Sequence, residues 1–230
     1  MGKQNWNTKE ILKFSTWLWD EQQYSYSLLA LHGIFWGLKI GTQLNLKWND
    51  IMDDNGNSKD VLNIRNSDIG LITISPFCKE VNNMAFQELR PNITDLIYIN
   101  NKTKKIIETS NLSKNLQRFS EVYLIEEYGE GNEINLEPMK GTTFQLAWVL
   151  DMLKINNYSK KSFLDVGKYI GKKTLKEMIN FVGFEPIEPT EEIKMRFDLI
   201  DNQGVRIVKQ VTNKVGNKNK RSDFVFVFKE

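Results

Sequence analysis

The stretch FWGLKIGTQLNLKWNDI, residues 35–51, sets a single cation in its first half, Lys39, between Leu38 and Ile40 and just past Phe35, Trp36 and Gly37. Upstream, YSYSLLALHGIFWGLKI (24–40) is so continuously apolar that it predicts a buried helix. Downstream, TQLNLKW (42–48) predicts a short helix, with Thr42 as its cap and Leu44, Leu46 and Trp48 on its apolar side. On local grounds alone, Lys39 is a snorkelling side chain at a helix end, where its charge favours the C-terminal dipole.

The chain around this stretch has 230 residues, enough for one large domain or a domain with an appendage. With 40% hydrophobic residues, among them 13 Phe, 7 Tyr and 6 Trp, it can bury a substantial core. The 31 basic and 29 acidic residues leave a net charge of +2, so a nucleic-acid surface would have to come from local segregation of charge. A single cysteine, Cys78, excludes an internal disulfide and is expected to be a small buried residue in a reduced compartment. A single histidine, His32, excludes a two-His metal site, and with one Cys no Cys/His zinc site can form. His32 lies inside LLALHGIFWG and is expected to be a packed or partly exposed helix residue. No phosphate-loop or dinucleotide fingerprint occurs, and no cofactor or metal is implied. The absence of a signal-like start and of a membrane-length apolar run points to a cytoplasmic protein with no membrane partner.

Toward the N-terminus, NTKEILKFSTWLWDEQQ predicts a helix capped at Asn7 or Thr8. After the opening stretch, DDNGNSKD (53–60) marks a break. VLNIRN and GLITIS then predict a hairpin, with a third short strand at PFCKEV. A helix is expected from about Met84 to Asn100, kinked or split at Pro91. Further helices are expected over NLSKNLQRFSEVYLIEEYG, capped by Ser110 or Asn111, and over TTFQLAWVLDMLKINN. A helix pair follows, KKSFLDVGKYIG and TLKEMINFVG, joined through a glycine. The C-terminal segment alternates Phe224, Phe226 and Phe228 with Val225 and Val227, which predicts a strand, with GVRIVKQV as its partner. The tip between them carries Lys214, Lys218, Lys220 and Arg221 without an acid.

This order of helices, small sheet and helices resembles the catalytic domain of the tyrosine recombinases, the phage integrase family. The family's first box reads roughly G-L-R-I-S-E-L-x-x-L-x-W-x-D-I. Gly37, Leu38, Ile40, Leu46, Trp48, Asp50 and Ile51 fit it, and Lys39 stands where the family carries its first catalytic arginine. The middle box, His-x-x-Arg-His-Thr-Phe-Ala, resembles EPMKGTTFQLAW, which places Lys140 or Gly141 at the arginine. The family ends in a Leu-Gly-His segment followed, ten residues past the glycine, by the nucleophilic tyrosine. Here Gly171 is followed by Lys172, and Phe181 occupies the nucleophile's position. The β-hairpin lysine has no clear match, with Arg65 nearby.

The resemblance implies a mainly α, α+β fold: an integrase-like domain over residues 1–184 and a β-hairpin extension over 185–230. It also implies that the chemistry is degenerate. Phe181 has no hydroxyl to attack a phosphodiester, and Lys39 keeps a charge without the bidentate fork of arginine. We therefore expect a catalytically inactive, integrase-like DNA-binding or accessory protein of a mobile element or phage. Its partners would be DNA and either an active recombinase or a second copy of itself. Lys39, Arg65, Lys140 and Lys172 would meet phosphate, joined by the basic tip of Lys214, Lys218, Lys220 and Arg221. Only 36 residues precede Gly37, so the separate N-terminal DNA-binding half of the family's clamp is expected to be missing. Two other readings stay open: an active enzyme with a relocated nucleophile such as Tyr158 or Tyr169, and a protein-interaction module without DNA affinity.

Overall fold

The computed structural model describes residues 5–64, 70–100, 103, 105–129, 136 and 138–187, together with the backbone of 205–207 and 226–228. Helix α1 spans Thr8–Asp20, and the Asn7 side chain accepts from the Glu10 N–H as the N-cap. Helix α2 spans Tyr24–Trp36 and is buried on every side, with only Tyr24 and Phe35 escaping full burial. It is the axis of the domain: α1 packs on one flank, α7 (Gly141–Ile155) on another. Burying a Leu, Ile or Phe contributes about 1.5–3 kcal/mol, and α2 buries Leu28, Leu29, Leu31 and Ile34.

The opening stretch departs from its expected form. The second helix does not run through Lys39; it stops at Trp36, because Gly37 takes the left-handed conformation at φ 60°. The next helix, α3, spans Ile40–Leu44 and starts from Lys39, so Thr42 is inside it and not its cap. Trp48–Ile51 forms a separate turn, α4, in which Asp50 accepts from the Lys47 N–H.

Strands β1 (Val61–Ile64) and β2 (Gly70–Thr73) pair antiparallel, with Val61 opposite Thr73 and Ile64 opposite Gly70. Leu62, Ile64 and Ile72 face the core. The expected strand at PFCKEV is instead the first turn of α5 (Pro76–Leu89). Ser75 caps it through the Cys78 N–H, and Pro76 enters at the one helical position where its missing N–H is harmless. The expected helix beyond Met84 ends at Leu89, where Arg90 turns left-handed just before Pro91. Helix α6 (Thr109–Tyr128) starts from Glu108, slightly before the expected Ser110 or Asn111.

Helices α8 (Lys160–Tyr169) and α9 (Leu175–Val182) form the expected pair, each with a side-chain cap, Ser159 and Thr174. They build a second apolar cluster with the later half of α7, around Trp148, Leu153, Phe163 and Met178. The first cluster holds α1, α2, α6 and the sheet, and Tyr169 packs against both. Strands β3 (Val205–Ile207) and β4 (Phe226–Phe228) pair antiparallel, as the alternating C-terminal pattern predicts. Among the described residues, no helix is long and apolar enough to cross a membrane.

Candidate nucleic-acid interface

The C-terminal end of α2 is closed by side chains from distant parts of the chain. A helix leaves its last carbonyls without intrahelical partners, so a buried C-terminus needs donors from elsewhere. The Gln145 amide of α7 donates to the Gly37 carbonyl at 2.8 Å. The Tyr169 hydroxyl of α8 donates to the Trp36 carbonyl at 2.6 Å. The Trp148 and Tyr169 rings stack at 4.7 Å, and a Cβ on Gly37 would lie 2.3 Å from Trp148 Cδ2, well inside contact distance. Gly37 is thus required twice, by its backbone angle and by the indole against it. These contacts fix the direction in which the chain leaves α2 and so fix the root of Lys39.

The Lys39 side chain extends from that root to the turn between α8 and α9. Gly171 stands there at φ 74°, and a Cβ on it would lie 2.5 Å from Lys39 Nζ and 3.1 Å from Cε. The ammonium therefore rests over a backbone surface that only glycine leaves open. Lys172, the next residue, is half-buried, and its Nζ lies 5.2 Å from the centroid of the Phe181 ring. That is cation–π distance, and the electron-rich face helps hold the ammonium in place. Phe181 is itself half-buried against the second cluster.

Lys140 is exposed at the N-cap of α7 and donates its N–H to the Thr143 hydroxyl at 2.9 Å. The adjoining Gly141 is buried, and a Cβ on it would lie 3.3 Å from Ile40 Cγ1. The start of α7 thus abuts the residue that follows Lys39. Three separate segments, 37–40, 140–141 and 171–172, meet in this way, each carrying one lysine. Among the described residues, none of the three ammonium groups has an ion-pair partner. Glu177 lies nearby and caps α9. The N–H groups of Lys173 and Thr174 hold its carboxyl below the usual range, helped by the charges of Lys172 and Lys173. Arg65, Lys214, Lys218, Lys220 and Arg221 lie outside the described residues.

The other titratable groups of the sequence reading are occupied in the core. Burial holds the Tyr169 phenol well above its ordinary range, so it stays a protonated donor to Trp36. Tyr158 is half-buried in the turn after α7, at φ 52°, with its ring edge-on to Phe184 at 5.6 Å. Burial pushes the Cys78 thiol up to about 12, as suits a small core residue. His32 is fully buried and stacks on Trp36 at 4.0 Å. Its Nε2 lies 2.8 Å from Asn82 Oδ1 and its Nδ1 lies 2.6 Å from the Tyr98 hydroxyl. Because Asn82 Oδ1 can only accept, Nε2 carries the proton and Nδ1 accepts from Tyr98. Burial lowers the His32 pKa to about 4.

Gln145 and Trp148 escape sequence reasoning as parts of this site, because they sit in apolar helical periodicity and read as packing; only Gln145, a buried amide within TTFQLAW, carries a local hint. Tyr169 stands out in the sequence as a candidate relocated nucleophile and not as the donor to Trp36.

The overall fold agrees with solved structures. The XerA recombinase superposes with a TM-score of 0.55 at 11% identity, over 86% of this chain and 64% of that one. The fold is that of a tyrosine recombinase catalytic domain. The Tn1549 transposon integrase, in complex with circular intermediate DNA, superposes with a TM-score of 0.52 at 12% identity, over 86% of this chain and 65% of that one. A lambda integrase dimer bound to a COC′ core site gives 0.50 at 14% identity, over 83% and 51%. The chain thus spans less than two thirds of the length of these recombinases. No protein-family model and no curated protein matches the sequence.

Proposed function

We propose that this chain is a catalytically inactive, integrase-like DNA-binding or accessory protein of a mobile element or phage, which holds DNA phosphates through Lys39, Lys140 and Lys172. The observation that carries the reading is the seat of the Lys39 ammonium on Gly171. It joins the first-box cation to the turn bearing Lys172, with the α7 N-cap lysine alongside. Three ammonium groups without ion-pair partners among the described residues suit a phosphate backbone, which is recognised by charge and not by base sequence. Arg65 and the basic tip of Lys214, Lys218, Lys220 and Arg221 join the proposal on sequence grounds alone.

Inactivity is supported by the residue at the nucleophile's position. Phe181 offers a ring to Lys172 and no hydroxyl to a phosphorus. Tyr169 is engaged with the Trp36 carbonyl and protonated, which disfavours it as a relocated nucleophile.

The test is fluorescence anisotropy with labelled duplex DNA across a salt series. Three phosphate contacts give a slope of log K against log salt of about −3, and Lys39→Ala lowers its magnitude by about 1. Binding absent at low salt, or unchanged in the triple alanine variant, overturns the reading in favour of a protein-interaction module. A covalent adduct on a nicked suicide duplex, resolved on a denaturing gel, overturns inactivity in favour of an active strand-cleaving enzyme.

A further inference from the structure

The opposite end of α2 carries a different chemistry. A cleft of about 250 Å³ opens there, between the first turn of α2, the middle of α6 and the segment at Ile99 and Asn100. Gly37 lies eleven positions after Tyr26, so the cleft lies about 16 Å from the Lys39 root along the helix axis.

Arg118, Asn115, Tyr26 and Gln23 supply most of its polar wall, and no carboxylate lines it. Arg118 and Asn115 stand three residues apart on one face of α6. The Arg118 guanidinium lies over the Phe119 ring at 5.0 Å and has no ion-pair partner among the described residues. Stacking of this kind holds the planar fork while leaving its N–H groups free to meet a ligand. Tyr26 is 6% exposed and sits edge-on to Phe119 at 5.1 Å. Its oxygen accepts from the Asn115 amide at 2.6 Å, which leaves the phenolic hydrogen as a donor. Burial holds that phenol above its ordinary range, so it remains protonated. The first turn of α2 has no side-chain cap and no acid, and its N–H groups add positive potential at the same place.

We propose that this cleft is a second binding site, separate from the Lys39 surface, for a phosphate-type oxyanion gripped by the Arg118 guanidinium and the Tyr26 hydroxyl. The Arg118 guanidinium is the cationic donor at its wall and the Tyr26 hydroxyl a neutral one, no carboxylate opposes them, and the cleft is large enough for a phosphate with a small substituent. The phosphate comes either from a free small molecule or from a nucleic-acid backbone. The proposal is independent of DNA binding at Lys39.

The test is a titration of the full chain with inorganic phosphate, followed by ¹H–¹⁵N correlation spectra. Saturable shifts are expected at the amides of Ser25, Asn115 and Arg118. Arg118→Gln, at an exposed position that leaves folding intact, is expected to weaken binding about tenfold or more. Tyr26→Phe is expected to weaken it about fivefold, and Lys39→Ala leaves it unchanged. Duplex DNA that displaces phosphate from these amides assigns the site to a backbone phosphate; phosphate that stays bound at saturating duplex assigns it to a free anion. Shifts that do not saturate, or an affinity unchanged in Arg118→Gln, overturn the proposal and mark an adventitious ion only.

Discussion

The two ends of α2 receive opposite treatment. At the C-terminal end, Gln145 and Tyr169 donate to the last carbonyls, and Trp148 fills the space beside Gly37. At the N-terminal end, Gln23 makes no side-chain cap, and a donor-lined cleft opens beside it. The closed end uses side chains 108 and 133 residues away in sequence, and so ties the second apolar cluster to the first. The open end is also tied to distant segments, through Asn115 to Tyr26 and Ser25 to Ile97, but the Arg118 guanidinium beside it has no ion-pair partner among the described residues. One helix thus holds a rigid root for a cation at one terminus and a receptive surface at the other.

The largest way to break this asymmetry is Gly37→Ala. A methyl there meets the Trp148 ring and must adopt φ 60°. Left-handed strain and overpacking together are expected to remove roughly 2–5 kcal/mol of stability. Thermal unfolding followed by circular dichroism should show a fall of roughly 5–15 °C; an unchanged midpoint would mean that the closed end is not what secures α2.

Between the ends lies His32, whose effect is read by pH. Its folded pKa, about 4, is below the ordinary value of 6.5, so the unfolded chain takes up the proton first. The stabilising contribution is complete above pH 6.5 and is lost as pH falls toward 4, a change of roughly 3 kcal/mol. Protonation also converts Nδ1 to a donor facing the Tyr98 hydroxyl, which already accepts from Gln43 at 3.4 Å. Urea unfolding at several pH values should show this loss in the native chain and a flatter profile in His32→Gln. Parallel profiles would assign the acid sensitivity to other groups.

The smallest effect on stability, and the most informative about the proposed interface, comes from Gly171→Ala. The left-handed angle costs about 1–2 kcal/mol, while the added methyl takes the place of the Lys39 ammonium. DNA affinity is expected to fall as far as in Lys39→Ala, with the fold retained. Full affinity would show that Lys39 reaches phosphate without its seat on Gly171.

Local signals carried much of the architecture. Asn7 as a cap, the β1–β2 hairpin, the α8–α9 pair and the C-terminal strand pairing follow from capping, turn chemistry and periodicity. The errors fell where a residue has two local meanings. Pro76 reads as a strand residue or a helix start, and Ser75 decides by capping the helix. Gly37 reads as a tolerated helix glycine or a terminator, and its left-handed φ of 60° makes it the terminator, with the indole of Trp148 leaving no room for a side chain there.

The cations of the proposed interface are nominated by sequence boxes, Lys39 and Lys172 each at one position and Lys140 as an alternative to Gly141. Their mutual placement is not legible there. It depends on Gly171 lying under the Lys39 ammonium, on Gly141 meeting Ile40, and on two carbonyls finding donors in α7 and α8. The cleft at Arg118 was invisible for the same reason, since Tyr26, Asn115 and Arg118 belong to two helices and match no motif. Helix caps, turns and alternation are settled by neighbours in the chain, within a few residues. Sites arise where remote segments are pressed together by the burial of their apolar faces, and that contact is a property of the packed chain.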